Sequence, residues 1–154
     1  MISLTTHYGY MARVLHLCTD QVMTQALARM DLTSSQGHIM GYLAHRDTPP
    51  CSRDIEDHFQ LSHPTVSGLL ARLEKKGFIQ FRPDEVDRRC KRIYILPKGR
   101  ECIDTMRRTI DEHEQRMVQG FTDEEKAQFA QLLQRAITNM GGGPCHRTQK
   151  EEET

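Results

Sequence analysis

The sequence predicts a mainly α chain with one small β-hairpin wing, and three observations predict it. Apolar residues recur at helical spacing over most of the 154 residues. Two threonines open such stretches with capping boxes, Thr33-Ser34-Ser35-Gln36 and Thr122-Asp123-Glu124-Glu125. Two runs, Phe78–Arg82 and Lys91–Leu96, are instead rich in β-branched and aromatic residues, with Pro83-Asp84 opening a turn between them.

Residues 6–30 read as the first helix. Tyr8, Met11, Leu15, Val22 and Ala26 fall at helical spacing, and Val14, Leu17 and Cys18 widen the stripe beyond what one packing partner covers. The box at Thr33 opens a second helix to about His45, with Ile39, Met40 and Leu43 inward, and Asp47-Thr48-Pro49-Pro50 stops it. Ser52 is placed to cap a short helix, Arg53–Phe59, with Ile55 and Phe59 inward.

The next helix begins at Ser62, whose hydroxyl is placed to accept from the Thr65 amide. Leu61 and Val66 occupy the positions of a hydrophobic staple, and Val66, Leu69, Leu70 and Leu73 form the inward stripe. Gly77 suits the left-handed position that ends a helix. After the hairpin, Pro97–Gln119 reads as a long helix with Ile103, Met106, Ile110, His113 and Met117 at 3–4 spacing. Its length, on the order of 33 Å, exceeds what one small domain needs. The box at Thr122 opens a last helix to Met140, with Phe129, Leu132, Leu133, Ala136 and Ile137 inward. Gly141-Gly142-Gly143-Pro144 breaks it, and residues 141–154 read as a disordered tail. There is no internal repeat. Helix, turn, helix and hairpin together make residues 33–96 a winged helix-turn-helix, flanked by helices at 6–30 and 97–140.

The bulk properties narrow the function classes. No run of about 18 apolar residues supports a transmembrane helix, and the first residues lack the basic and apolar blocks of a signal peptide. Cysteines 18, 51, 90, 102 and 145 are odd in number and show no C-x-x-C, which points away from a disulfide framework or zinc finger and toward a reducing cytoplasm. Net charge is zero, but it is unevenly spread. Residues 62–100 carry 10 Lys/Arg against 4 Asp/Glu, whereas residues 1–61 carry 4 against 6 and residues 101–154 carry 7 against 11. Phosphate binding needs clustering rather than total charge. A charge run alone indicates a solvated basic surface; the adjoining helix and wing override that reading.

The outward face of the helix beginning at Ser62 presents Pro64, Gly68 and Ala71, flanked by Thr65, Ser67 and Arg72 and ending in Lys75 and Lys76. Small side chains let a helix sit deep in a major groove, where hydroxyls reach base edges and apolar atoms meet thymine methyls. The competing reading is that Gly68 and Ala71 allow close helix packing. The turn Asp84-Glu85-Val86-Asp87-Arg88-Arg89 places two arginines near the hairpin tip, where one can enter a minor groove while Asp87 fixes its neighbour's geometry. In isolation the same turn is a charged hairpin that resists edge aggregation.

Three motifs, Leu32-Thr33-Ser34-Ser35-Gln36, Leu61 through Gly77, and Asp87-Arg88-Arg89 ten residues before Gly99, carry a resemblance. Residues 32–99 resemble the MarR (multiple antibiotic resistance regulator) family of bacterial winged-helix regulators. The resemblance implies a homodimer held by the first helix and the last two, bound to a palindromic double-stranded DNA operator. It places the helix from Ser62 in the major groove and the wing in the minor groove. The residues expected at DNA are Ser52, Arg53, Ser62, His63, Pro64, Thr65, Ser67, Gly68, Arg72, Lys75, Lys76, Arg82, Asp87, Arg88 and Arg89. The chain departs from the family pattern at Gly68, often basic, at Val86, often arginine, and at Leu96, often threonine.

Redox-sensing relatives carry a reactive cysteine on the first helix, but Cys18 has no adjacent Lys or Arg to activate it and reads as a buried structural residue. Cys51, Cys90 and Cys145 read as exposed and loop-borne. Asp20, His38 and His113 suggest the zinc site of some relatives, but Met106 and Ile110 stand where further ligands would be needed. No metal or cofactor is therefore expected. The resemblance also implies a cavity for a small aromatic or phenolic effector, with His16, His38, Tyr42 and Met106 as candidate lining, although each taken singly fits ordinary core or interface better. No nucleophile–base pair, P-loop or dinucleotide fingerprint occurs, so no catalytic residue is expected. The function expected is a DNA-binding transcriptional regulator, a repressor released by a small effector. The alternatives are a metal- or redox-responsive regulator and a winged-helix module that binds protein.

Overall fold

The computed structural model describes residues 7–143. Six helices and one hairpin follow in the order α1 (Tyr8–Arg29), α2 (Ser34–Ala44), α3 (Ser52–Phe59), α4 (His63–Lys75), β1 (Ile79–Pro83), β2 (Lys91–Ile95), α5 (Pro97–Met117) and α6 (Asp123–Asn139). This is the mainly α winged helix-turn-helix expected. The chain forms two compact units whose boundary falls between His113 and Glu114.

In the first unit, the core gathers one face of every short element. Ile39, Met40 and Leu43 of α2, Ile55 of α3, Val66, Leu70 and Leu73 of α4, Ile79 of β1 and Ile93 of β2 are all buried. Each such side chain contributes about 1.5–3 kcal/mol when fully buried. Leu69 is half-buried against the cluster. Tyr42, His58 and Phe59 stack at ring separations of 4.5 to 5.7 Å and tie α2 to α3. Gly99 admits the start of α5, since a Cβ there would collide with the Phe78 carbonyl.

Local chemistry explains the helix ends. Thr33 Oγ1 accepts from the Gln36 amide at 3.3 Å, and the Gln36 side chain accepts from the Thr33 amide at 3.0 Å. The same reciprocal box stands at Thr122 and Glu125, with distances of 3.2 and 2.8 Å. Gly77 has φ of +78°, and its amide reaches Glu74 O at 2.9 Å while Phe78 N reaches Leu73 O at 3.0 Å. That is a Schellman termination, and it takes Phe78 out of β1, which therefore starts at Ile79 rather than Phe78.

Several expectations need correction. Cys51, not Ser52, is the N-cap of α3, and its amide donates to Asp54 Oδ2 at 2.8 Å; Ser52 is already helical. At α4 the Ser62 hydroxyl meets the Thr65 hydroxyl at 2.9 Å instead of the Thr65 amide, because that hydroxyl offers a competing partner. Leu61 stays 37% exposed, so the staple with the fully buried Val66 leaves much of Leu61 uncovered. Cys18 is exposed, not buried: its face of α1 is uncovered among the described residues. Cys51 and Cys90 are half-buried rather than exposed. α5 ends at Met117.

The flanking helices bury little. Leu27 is the one buried residue of α1, while Tyr8, Met11, Val14 and Leu17 are exposed. In the second unit α6 buries none of its residues; Leu132, Leu133 and Ile137 are exposed, and Phe129 meets Phe121 at a ring separation of 5.7 Å. Apart from Phe129 against Phe121, the inward packing expected of α6 is not formed among the described residues. Of the expected tail, residues 144–154, including Cys145, lie outside the described residues.

Candidate nucleic-acid interface

The helix-turn-helix pair is set by a three-residue turn. Gln60 takes a left-handed conformation, φ 52°, and Leu61 N bonds Glu56 O at 3.1 Å. His63 Nδ1 then meets Glu56 Oε1 at 2.6 Å, locking the start of α4 onto α3. With Val66, Leu70 and Leu73 inward, the opposite face of α4 is exposed along Pro64, Thr65, Ser67, Gly68, Ala71, Arg72 and Lys75. A Cβ built at Gly68 meets nothing within 4 Å. Within this chain Gly68 is therefore not a close-packing glycine; its bareness belongs to an open surface.

The wing is organised by Asp84. Its Oδ1 accepts from the amides of Val86 at 2.8 Å and Asp87 at 3.1 Å, and its Oδ2 meets Arg92 Nε at 2.5 Å. The Arg92 guanidinium, followed by the two amides, holds the Asp84 carboxyl down to about 2. Asp84 N also donates to Cys90 O, and Cys90 N to Asp87 O, each at 2.9 Å. Asp87 Oδ1 accepts from the Arg89 amide at 3.0 Å, fixing the backbone beside that arginine. The turn so built exposes Arg88 and Arg89.

The hairpin below is antiparallel, pairing Ile79 with Ile95, Phe81 with Ile93 and Arg82 with Arg92. The Arg82 guanidinium lies over the Tyr94 ring at 4.7 Å. A further rung extends the sheet: Cys51 bridges Arg92, Ile93 N donates to Pro50 O at 2.9 Å, and Arg92 Nη1 reaches Pro49 O at 3.4 Å. From sequence, Pro49-Pro50 reads only as a helix stop and Asp84 only as opening the turn, an Asx-turn signal; the partnership of Asp84 with Arg92 is visible only in the structure.

Most of the expected DNA residues fall into two groups. Thr65, Ser67, Gly68, Arg72 and Lys75 share the open face of α4, with Ser62, His63 and Pro64 at its N-terminal end, and Arg88, Arg89 and Asp87 share the wing turn. Ser52 and Arg53 open α3, Ser52 half-buried and Arg53 exposed. Lys76 differs: its ammonium meets Asp31 Oδ2 at 3.1 Å and the Asp31 carbonyl, where φ is 58°, so it ties α4 to the end of α1. Of the four candidate effector residues, His16 and His38 are exposed and Tyr42 and Met106 half-buried. None of them lines the groove of about 400 Å³ that runs past Arg46, Pro49, Arg82, Tyr94 and Arg100. Among the described residues no three His, Cys, Asp or Glu side chains are grouped as metal ligands.

A model of the MarR family matches residues 30–89. The chain is 26% identical over 132 residues to the uncharacterised HTH-type transcriptional regulator YybA of Bacillus subtilis, covering 86% of this chain and 85% of that protein. Its fold matches the crystal structure of MepR, a transcription regulator of the Staphylococcus aureus multidrug efflux pump MepA. The TM-score is 0.78 at 32% identity, over 87% of this chain and 98% of MepR. It also matches MepR in a crystal structure of its DNA complex, with a TM-score of 0.66 over 90% of this chain and 99% of that one.

Proposed function

Because the chain belongs to the MarR family of DNA-binding transcriptional regulators, we propose that it is a homodimeric repressor of a palindromic operator, released by a small effector. One observation carries the reading. The open, small-residue face of α4 stands beside a wing whose turn is rigidly built and ends in exposed arginines. A helix without long side chains at its centre can lie deep in the major groove, with Thr65 and Ser67 at base edges and Gly68 and Ala71 against thymine methyls. Arg88 and Arg89 reach the minor groove. Ser52, Arg53, Ser62, His63, Arg72, Lys75 and Arg82 serve the phosphates, and Lys76 supports α4 from behind.

The dimer reading is supported by the apolar faces that α1 and α6 leave uncovered. Residues 6–30 and 97–140 form the dimerisation region in this reading, and residues 33–96 the DNA-binding part. That MepR, at 32% identity, forms a complex with DNA supports DNA as the partner. A small aromatic or phenolic effector would be met by His16, His38, Tyr42 and Met106, which lie on the three helices α1, α2 and α5. No helix among the described residues is long and apolar enough to cross a membrane, and the site of action proposed is the cytoplasm.

The test is a mobility shift on the DNA flanking the protein's own gene, searched for an inverted repeat. Tight binding that Arg89→Ala weakens, without loss of helicity, is the result expected. Equal affinity for repeat and scrambled duplex would overturn the reading.

A further inference from the structure

The groove of about 400 Å³ beside the hairpin is lined by three arginines, Arg46, Arg82 and Arg100. They come from three separate elements: the turn after α2, strand β1 and the first turn of α5. Against these three positive charges the described lining sets one carboxylate, Asp47. A concave surface with a surplus of one charge concentrates ions of the other sign. A volume of this size holds a small organic molecule.

Two of the arginines are held in place before any ligand arrives. The hairpin pairs Gln80 with Tyr94 and Arg82 with Arg92, which puts these four on the sheet face opposite the buried Ile79 and Ile93. The Arg82 guanidinium lies over the Tyr94 ring at 4.7 Å. With its amide turned to satisfy both groups, the Gln80 side-chain oxygen accepts from Arg82 Nε at 2.9 Å. The Arg46 guanidinium lies over the Tyr42 ring at 5.3 Å. Stacking occupies the face of a guanidinium and leaves in-plane N–H donors for an oxyanion. Such preorganisation lowers the cost of binding.

We propose that this groove binds a small organic dianion, a phosphate monoester or a dicarboxylate, through Arg46, Arg82 and Arg100. Guanidinium groups match either acid with paired N–H···O bonds, and a dianion balances the surplus charge of the lining. The site stands on the groove alone; its consequence rests on the DNA reading above. Arg82 is the one lining residue that the DNA reading also uses. The dianion and a DNA phosphate therefore compete for one guanidinium, and an occupied groove weakens binding to DNA.

The probes are glycerol phosphate and succinate, added at constant ionic strength to the full-length protein at about pH 7, where a phosphate monoester is largely a dianion. Arginine Cζ signals are followed by carbon-detected NMR. Arg46, Arg82 and Arg100 should shift together and saturate with one midpoint, while Arg88 and Arg89, exposed on the wing turn, do not follow. Saturation by either probe supports the site, and the tighter of the two names the acid group of the ligand. Arg100→Gln should weaken binding about tenfold or more, the loss of a hydrogen bond to a charged group, and Arg46→Gln tests a second corner independently. Shifts that rise without saturating, or that are equal at Arg88 and Arg89, overturn the site. So does a groove that serves only DNA phosphates, in which neither probe saturates and Arg100→Gln lowers the salt slope of DNA binding by about 1. The competition is read on a duplex that the protein enriches from random sequence. The dianion should lower affinity more than chloride at equal ionic strength does, and Arg100→Gln should remove the excess. A bound dianion with unchanged DNA affinity overturns the competition. A protein that enriches no duplex is instead a failure of the DNA reading, because the NMR titration needs no DNA.

Discussion

Asp84 and Arg92 close the root of the wing across eight residues of chain, carboxylate Oδ2 to guanidinium Nε at 2.5 Å. The same carboxylate collects two turn amides through its other oxygen. One side chain therefore sets both the curvature of the turn and its attachment to β2. The position of Arg88 and Arg89 follows from it.

A pH dependence results. Asp84 is lowered from 3.8 to about 2, first by Arg92. A carboxyl depressed on folding contributes its full stabilisation above its unfolded value and loses it as pH falls through the folded value. The wing turn should thus hold above pH 3.8 and loosen as pH approaches 2. Carbon-detected NMR of the Asp84 carboxyl reads this directly. In Arg92→Met the midpoint should rise yet stay below 3.8, because the amides of Val86 and Asp87 remain. An unchanged midpoint would remove Arg92 as the main cause.

Gly68 separates folding from binding. With open space around its Cβ position, Gly68→Ala should stabilise the helix by about 0.4–1 kcal/mol in urea unfolding, through the lost freedom of the unfolded chain. Gly68→Arg should fold as well, raise binding to arbitrary DNA through charge, and weaken binding to the native operator. Destabilisation by alanine would show that something covers this face.

Adjacent lysines should behave differently. Lys75 is exposed on the α4 face, so Lys75→Ala should lower affinity on any sequence and reduce the salt slope by about 1. Lys76 is engaged by Asp31. Lys76→Ala should leave the slope unchanged and cost below about 1 kcal/mol of stability, the range of an exposed ion pair. Titrations at several salt concentrations distinguish the two.

Most of the fold was legible because its signals are local. Both capping boxes, the Gly77 termination and the stripe of Val66, Leu70 and Leu73 are all short-range in sequence and formed as read. What the sequence concealed depends on partners brought together by the fold. Lys76 looks like part of a basic run until α4 is packed against Asp31, 45 residues away. Cys51 displaces Ser52 as a cap because the bridge to Arg92 fixes the backbone there. Cys18 and the α6 stripe were read as inward from their apolar character, but burial needs a partner surface, and this chain supplies none among its described residues.

That surface is the subject of the dimer prediction. Sedimentation at micromolar concentration should give a species near twice the 17.8 kDa chain mass. Leu17→Asp with Leu133→Asp, both exposed here, should convert it to monomer while the core, which includes neither residue, stays folded. A wild-type monomer would contradict the two-fold arrangement.

The central claim is that a bare α4 face and an arginine-tipped wing read DNA as a symmetric pair. Selection of duplexes from random sequence by the reduced, full-length protein tests it most directly. The account predicts an inverted repeat with A·T-rich half-sites centred about 10–10.5 bp apart, or a multiple of that spacing. Enrichment of G·C-rich half-sites with strong single-base preferences, or of no repeat at all, would contradict it.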